Sequence, residues 1–205
     1  MWRHGRTQWN LERRFQGQTD VPLDEDGRAQ AERSARLLAA LEPDLIVSSD
    51  LQRAADTAQE LARIAGLPVS YEPGLRETYG GRWQGLTIEE IDERYPHEVA
   101  AWRRGEQIRR GGGELEAEVA DRMVEVIERR LDDLPDKDGT LVVVTHGGAA
   151  RVAIGRLLGL GPSTWWVLGP LSNCCWTVLG ENQRGWRLLE HNAGTLPEPV
   201  LGDDR

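Results

Sequence analysis

Apolar positions recur along the chain in two rhythms that take turns. After Asp24-Glu25-Asp26-Gly27, residues Ala31, Ala35, Leu38 and Leu41 fall three or four apart as far as Pro43, which predicts a helix with one buried stripe. Leu45-Ile46-Val47 is a short unbroken apolar run, as in a strand covered on both faces. Helical spacing returns over 51–65, with Gly66 placed as a C′ residue and Pro68 just beyond. Thr87 and Glu90 form a capping box ahead of Ile88, Ile91 and Tyr95, and Pro96 is expected to stop that short helix. The longest helical pattern covers 114–134, with Val119, Met123, Val126, Ile127 and Leu131 on one face. The β-rich run Thr140-Leu141-Val142-Val143-Val144-Thr145 then delivers His146-Gly147-Gly148, and a helix follows to about Leu158. Residues 175–179 and 186–189 read as two strands of a hairpin, and the tail from Thr195, with Pro197, Pro199 and Gly202, reads as loose.

Strands alternating with helices predict an α/β fold, three layers of α/β/α around a mostly parallel central sheet, with residues 1–205 as one domain. No internal repeat or linker interrupts it. The stretch 79–113 is polar, Arg-rich and weakly patterned. It is expected to be an insertion over the carboxyl ends of the strands, where open α/β sheets bind ligands.

Composition narrows the function. A net charge of −9 argues against nucleic acid as a partner, because a phosphate backbone would be repelled, yet it leaves room for a local basic pocket. No run of eighteen apolar residues is present to span a membrane, and the first residues show no signal-peptide core, so a cytoplasmic location is expected. Cys174 and Cys175 are adjacent and cannot close a useful loop, and no metal-type spacing occurs; neither a metal nor a cofactor is predicted. A homodimer is left open.

Two histidines stand in matching contexts. His4 lies in Arg3-His4-Gly5, and His146 follows the strand-like run directly. A histidine at the carboxyl end of a central strand is rigidly held yet exposed to ligand, and a neighbouring Gly lets that ligand approach the backbone. Ser48-Ser49-Asp50-Leu51-Gln52-Arg53 repeats the strand-to-helix setting and puts Arg53 in a first helical turn, where free N–H groups favour an anion. Arg3, Arg53 and two imidazoles converging there would hold a phosphoryl group. Taken singly, each histidine reads more readily as a structural residue than as a catalyst. His97 and His191 are expected to be structural or solvent-facing.

Four ordered stretches carry a resemblance across essentially the whole chain. They are Arg3-His4-Gly5-Arg6-Thr7 with the following Asn10 and Phe15-Gln16-Gly17-Gln18; Ser48-Ser49-Asp50-Leu51-Gln52-Arg53 with Thr57; Leu75-Arg76-Glu77 with Trp83-Gln84-Gly85; and Thr145-His146-Gly147-Gly148. In that order they resemble the histidine phosphatase superfamily, with its phosphoglycerate mutase-like fold. The resemblance implies His4 as nucleophile through a phosphohistidine, and Arg3, Arg53 and His146 as holders of the phosphoryl oxygens. It implies Glu77 as the acid that protonates the leaving oxygen and then the base that activates water. Thr7, Asn10, Gln16, Gly17 and Gly147 match positions around the phosphate pocket.

The family holds mutases as well as phosphatases. Glu77 and His146 are only 69 positions apart in the numbering, and Arg13 stands where mutases commonly have Asn, so a phosphatase is expected. Its substrate would be a small phosphorylated metabolite, with glucosyl-3-phosphoglycerate foremost, because several stretches resemble the branch acting on that compound. The pairs Arg103-Arg104 and Arg109-Arg110 are candidates for an anion grip, with Arg103, Arg104 and Arg109 expected to meet a second anionic group; a solvated basic helix face is the alternative. Trp83 and Trp102 are candidates to stack on sugar, while packing is expected for Trp165, Trp166, Trp176 and Trp186. A phosphoglycerate mutase and a non-catalytic phospho-ligand module are the competing readings, and the presence of His4, Arg53, Glu77 and His146 speaks against the second. Family members carry an apolar strand ahead of the Arg-His-Gly motif, whereas Met1 and Trp2 alone precede it here. The strands carrying Ser48 and His146 are therefore expected to have open edges.

Overall fold

The computed structural model describes residues 1–136 and 138–194; the tail expected to be loose from Thr195 lies outside the described residues. In chain order the elements are β1 (Trp2–Arg3), α1 (Gln8–Leu11), α2 (Glu25–Leu38), β2 (Leu45–Ser48), α3 (Gln52–Ala65), β3 (Val69–Tyr71), α4 (Ile88–Arg94), α5 (Pro96–Arg103), α6 (Glu116–Leu131), β4 (Leu141–Thr145), α7 (Gly147–Leu157), β5 (Trp176–Asn182) and β6 (Gly185–Ala193). The six strands form one sheet in the order β3-β2-β4-β1-β5-β6. The first four run parallel, and β5 and β6 are antiparallel additions.

Alternation along the central strands explains the three layers. Ile46, Val142 and Val144 point to one face, where they pack on Ala31, Ala35 and Leu38 of α2 and on Ala54, Ala58 and Leu61 of α3. Val47 and Val143 point to the other, against Val119, Met123 and Ile127 of α6 and Val152 of α7. A strand buried on both faces has no polar alternation to show, which is why these runs read as continuous apolar stretches.

Several local expectations hold. Gly66 caps α3 at φ 69, and Thr87 with Glu90 completes the capping box of α4. Three need correction. Pro96 does more than stop α4, since it occupies the first turn of α5, where its missing N–H costs nothing. The hairpin strands are longer than expected and close on Gln183-Arg184 alone, because Glu181 and Asn182 pair with Trp186 and Gly185 on an exposed edge that hydrophobic patterning does not mark. Within the 79–113 stretch, Trp83, Ile91 and Val99 are buried together with Phe15 from outside it. Trp83 stacks edge-on between Phe15 and Trp102 at 5.9 and 5.8 Å and is fully buried, so it packs and is not open to a sugar. Trp166, expected to pack, is 75 % exposed.

Of the two strands expected to have open edges, one differs and one holds in part. The strand carrying Ser48 is paired on both sides, by β3 and β4. β1 reaches β4 only at Trp2–Val144 and Arg3–Thr145, so Leu141, Val142 and Val143 border an open groove. Leu38, Leu41, Ile127, Leu131, Leu157 and Trp186 contribute to its walls. The buried Met1 amine stands at its mouth and donates to the Thr177 carbonyl at 2.7 Å.

Candidate active site

The opposite ends of the same strands build a polar cleft. β1 ends in Arg3 and is followed by His4, whose backbone N–H donates to Thr145 O at 3.0 Å. His146 follows β4 as the residue preceding α7, so pairing of the two strands brings the imidazoles together, with ring centroids 5.2 Å apart. β2 leads through Ser48-Ser49 to α3, whose first turn carries Arg53. Two parallel pairings and one helix start therefore converge four residues from three distant stretches.

Hydrogen bonds settle the state of each group. His4 Nδ1 lies 2.7 Å from Gly5 O, and a carbonyl only accepts, so Nδ1 carries the proton and Nε2 keeps its lone pair. Burial, reinforced by the charges of Arg53 and Arg3, holds the His4 imidazole well below its usual range. Burial lowers His146 likewise, with Arg53, His4 and Arg3 adding to it. Arg53 is fully buried, donates to Thr19 O and Gly17 O at 2.8 and 2.7 Å, and is pushed down by burial to about 10, which still leaves it charged at neutral pH. His146 Nε2 meets Ser49 Oγ at 2.9 Å.

Three of the buried nitrogens that find no protein partner are Arg3 Nε, Arg53 Nε and His146 Nδ1. Orphaned buried donors are costly, on the order of 1–3 kcal/mol each, and an anion received among them would offset that cost. Glu77 lies on the same cleft. Its carboxylate accepts from the backbone N–H groups of Thr78, Gly148 and Ala149 at 2.8, 3.0 and 2.9 Å, over the start of α7. The approach depends on glycine, since a Cβ on Gly148 would stand 2.8 Å from Glu77 Oε1.

Around this centre the cleft is open to solvent and is also lined by Asn10, Gln16, Gly17 and Gly147, four of the expected positions. Thr7 does not line it: buried, it caps α1 and bonds Asn10, whose side-chain oxygen it shares with Asn173. Arg103, Arg104 and Arg109 do not reach the cleft. Each is half or more exposed and pairs with a neighbour, Asp92, Glu106 and Glu118 respectively. The expected anion grip is therefore misplaced among these three, because arginines in a polar segment carry no periodicity that says which one turns inward. Arg110 lines the cleft instead, together with Trp9, Arg13, Arg14 and Thr78. Ser49 and Arg122 escaped sequence reasoning. Arg122 donates to the carbonyls of Gly74, Arg76 and Glu77 and pairs with Glu114, which fixes the segment presenting Glu77; on an amphipathic helix it looks like any flanking charge. His97 is exposed, and His191 is tied to Thr177 and Gly169. Among the described residues no helix is long and apolar enough to cross a membrane, and no group of three or more His, Cys, Asp or Glu could hold a metal ion.

A family model described as the histidine phosphatase superfamily (branch 1) matches residues 1–194. The chain belongs to this superfamily. This histidine phosphatase is 41 % identical to the glucosyl-3-phosphoglycerate phosphatase of Mycolicibacterium vanbaalenii, over 94 % of this chain and 93 % of that one. It is 33 % identical to phosphoserine phosphatase 1 of Hydrogenobacter thermophilus, over 93 % and 89 % of the two chains. Among solved structures it is similar to a mycobacterial glucosyl-3-phosphoglycerate phosphatase complexed with VO3, with a TM-score of 0.89 and 41 % identity over 95 % of this chain and 98 % of that one.

Proposed function

We propose that this histidine phosphatase hydrolyses a small phosphomonoester through a phosphohistidine on His4. The buried, unpartnered Nε–H donors of Arg3 and Arg53, with the unpartnered His146 Nδ1 beside them, carry this reading. They belong with a group of several anionic oxygens, and His4 Nε2 is the neutral nucleophile held among them. Nε2 attacks phosphorus, and the P–O bond to the alcohol breaks as Glu77, protonated for this step, passes its proton to the departing oxygen. Water then attacks the phosphohistidine while the Glu77 carboxylate takes a proton from it. The P–N bond breaks, and His4 and Glu77 return to their starting states. Arg3, Arg53 and His146 hold the oxygens throughout. Asn10, Gln16, Gly17 and Gly147 line the pocket that receives them, and Thr7 acts through Asn10.

Glucosyl-3-phosphoglycerate is the favoured substrate. The likeness to enzymes named for it supports this. No metal is assigned a role, and a chelator is expected to leave turnover unchanged. The enzyme is read as cytoplasmic.

Quenching with labelled substrate should trap acid-labile, base-stable phosphate on His4, and turnover surviving in His4→Ala would overturn the reading. Glu77→Gln should slow sugar phosphates far more than p-nitrophenyl phosphate, whose leaving group needs no proton. Equal losses would remove Glu77 from proton transfer. Interconversion of 2- and 3-phosphoglycerate faster than phosphate release would make the enzyme a mutase.

A further inference from the structure

We propose that Arg110 reads a second anionic group on the phosphoester, and so sets which esters this enzyme prefers. The proposal rests on the phosphatase reading above and assigns a part of the cleft that the phosphoryl centre does not use.

Arg110 differs from every other arginine of the 79–113 segment in how it is held. It is 5 % exposed and yet lines the cleft with Glu77, Thr78 and Arg13. Its guanidinium carbon lies 5.1 Å from the centre of the Trp102 ring, and one Nη2 is ion-paired with Glu116. Glu116 is the one hydrogen-bond partner of that five-donor fork among the described residues, so most of its donors remain for a ligand. The backbone is fixed too. Arg110 opens a turn over Arg110–Gly112 in which Gly111 has φ 57, and the turn interlocks with Gly81 at φ 48. A Cβ on Gly81 would stand 2.2 Å from Gly111 O. Glu98 closes the arrangement by accepting from both Gly111 N–H and the Trp83 indole at 3.2 and 3.1 Å.

A guanidinium ordered before the ligand arrives loses little freedom on binding, and its planar fork suits a carboxylate or phosphate. Exposed Arg103, Arg104 and Arg109 would have to give up an ion pair and a mobile side chain to do the same. The phosphoryl group has its own buried donors on Arg3, Arg53 and His146, so Arg110 is left to meet a different part of the substrate.

The test compares kcat/KM for 3-phosphoglycerate with glycerol 3-phosphate, which has a hydroxymethyl in place of the carboxylate. Fructose 1,6-bisphosphate against fructose 6-phosphate gives the second-phosphate arm. Wild type should favour the doubly anionic member of at least one pair by roughly ten- to a hundred-fold, the worth of a charge-assisted contact. Arg110→Met should cut that advantage to below about threefold, acting mainly on KM. Arg110→Lys keeps the charge without the fork and should retain an intermediate advantage; it carries the test if Arg110→Met does not fold. Absence of any advantage in wild type would overturn the proposal, as would equal losses on both members of a pair or an advantage untouched in the variants. Calorimetric titration of 3-phosphoglycerate and glycerol 3-phosphate into His4→Ala, with and without Arg110→Met, separates the two readings. If no ester is turned over, the phosphatase reading falls, while an Arg110-dependent difference in affinity still supports this one.

Discussion

The two ends of the central strands are built on opposite terms. At the carboxyl ends, β1, β2 and β4 lead into residues that bond one another, and the cleft they form is lined with Arg, His, Glu and backbone N–H groups. At the amino ends the same sheet opens on a groove walled by Leu, Ile and Val side chains, with the Met1 amine buried at its mouth. The polar end concentrates charge that burial penalises, so it stores chemical capacity and adds little stability. The apolar end exposes surface that would rather be covered, and any stability to be gained lies there.

His4→Ala tests the first half of that contrast most severely. It should lower kcat by about 10⁴ or more, as losses of catalytic nucleophiles do, while thermal stability stays level or rises once a buried polar ring is gone. A clear fall in Tm would mean the cleft also carries the fold. The second half is tested by adding five alternating apolar residues ahead of Met1. Each side chain buried in the groove would contribute about 1.5–3 kcal/mol before backbone ordering takes back about 1–2 kcal/mol per residue. A rise in Tm of several degrees is expected, and the same length of polar residues should give none.

Acid unfolding should separate the ends by pH. Burial lowers the Met1 amine from 8.0 to about 5, so the unfolded chain binds its proton first, and stability is lost as pH falls from 8 towards 5, by up to about 4 kcal/mol. The two histidines, held below their ordinary 6.5, add loss only once pH drops beneath that value, at most about 1.4 kcal/mol per pH unit each. Acetylating the N-terminus should flatten the curve between pH 8 and 6.5 and leave the steeper acid limb. A smaller effect is expected for Arg122→Met, which frees the segment holding Glu77. It should slow sugar phosphates more than p-nitrophenyl phosphate, by roughly tenfold, and an equal effect on both would deny it a positioning role.

Much of this was legible in the residues themselves, because periodicity and punctuation are local. The apolar runs around Ile46 and Val143, the helix opening at Arg53 and the capping box at Thr87 each follow from a few neighbours. The two histidines could be placed at strand ends for the same reason. Folding in three dimensions was needed wherever a side chain answers to a distant partner. Arg110 turns inward because Glu116, Trp102 and two interlocked glycine turns hold it, and nothing in Arg109-Arg110 distinguishes the neighbours. Arg122 reaches carbonyls more than forty positions away, and Glu77 finds the N–H groups of Gly148 and Ala149 across the sheet. A sequence pattern reports which face of an element is apolar; which polar group meets which is settled by chain crossings that bring remote segments within hydrogen-bond reach.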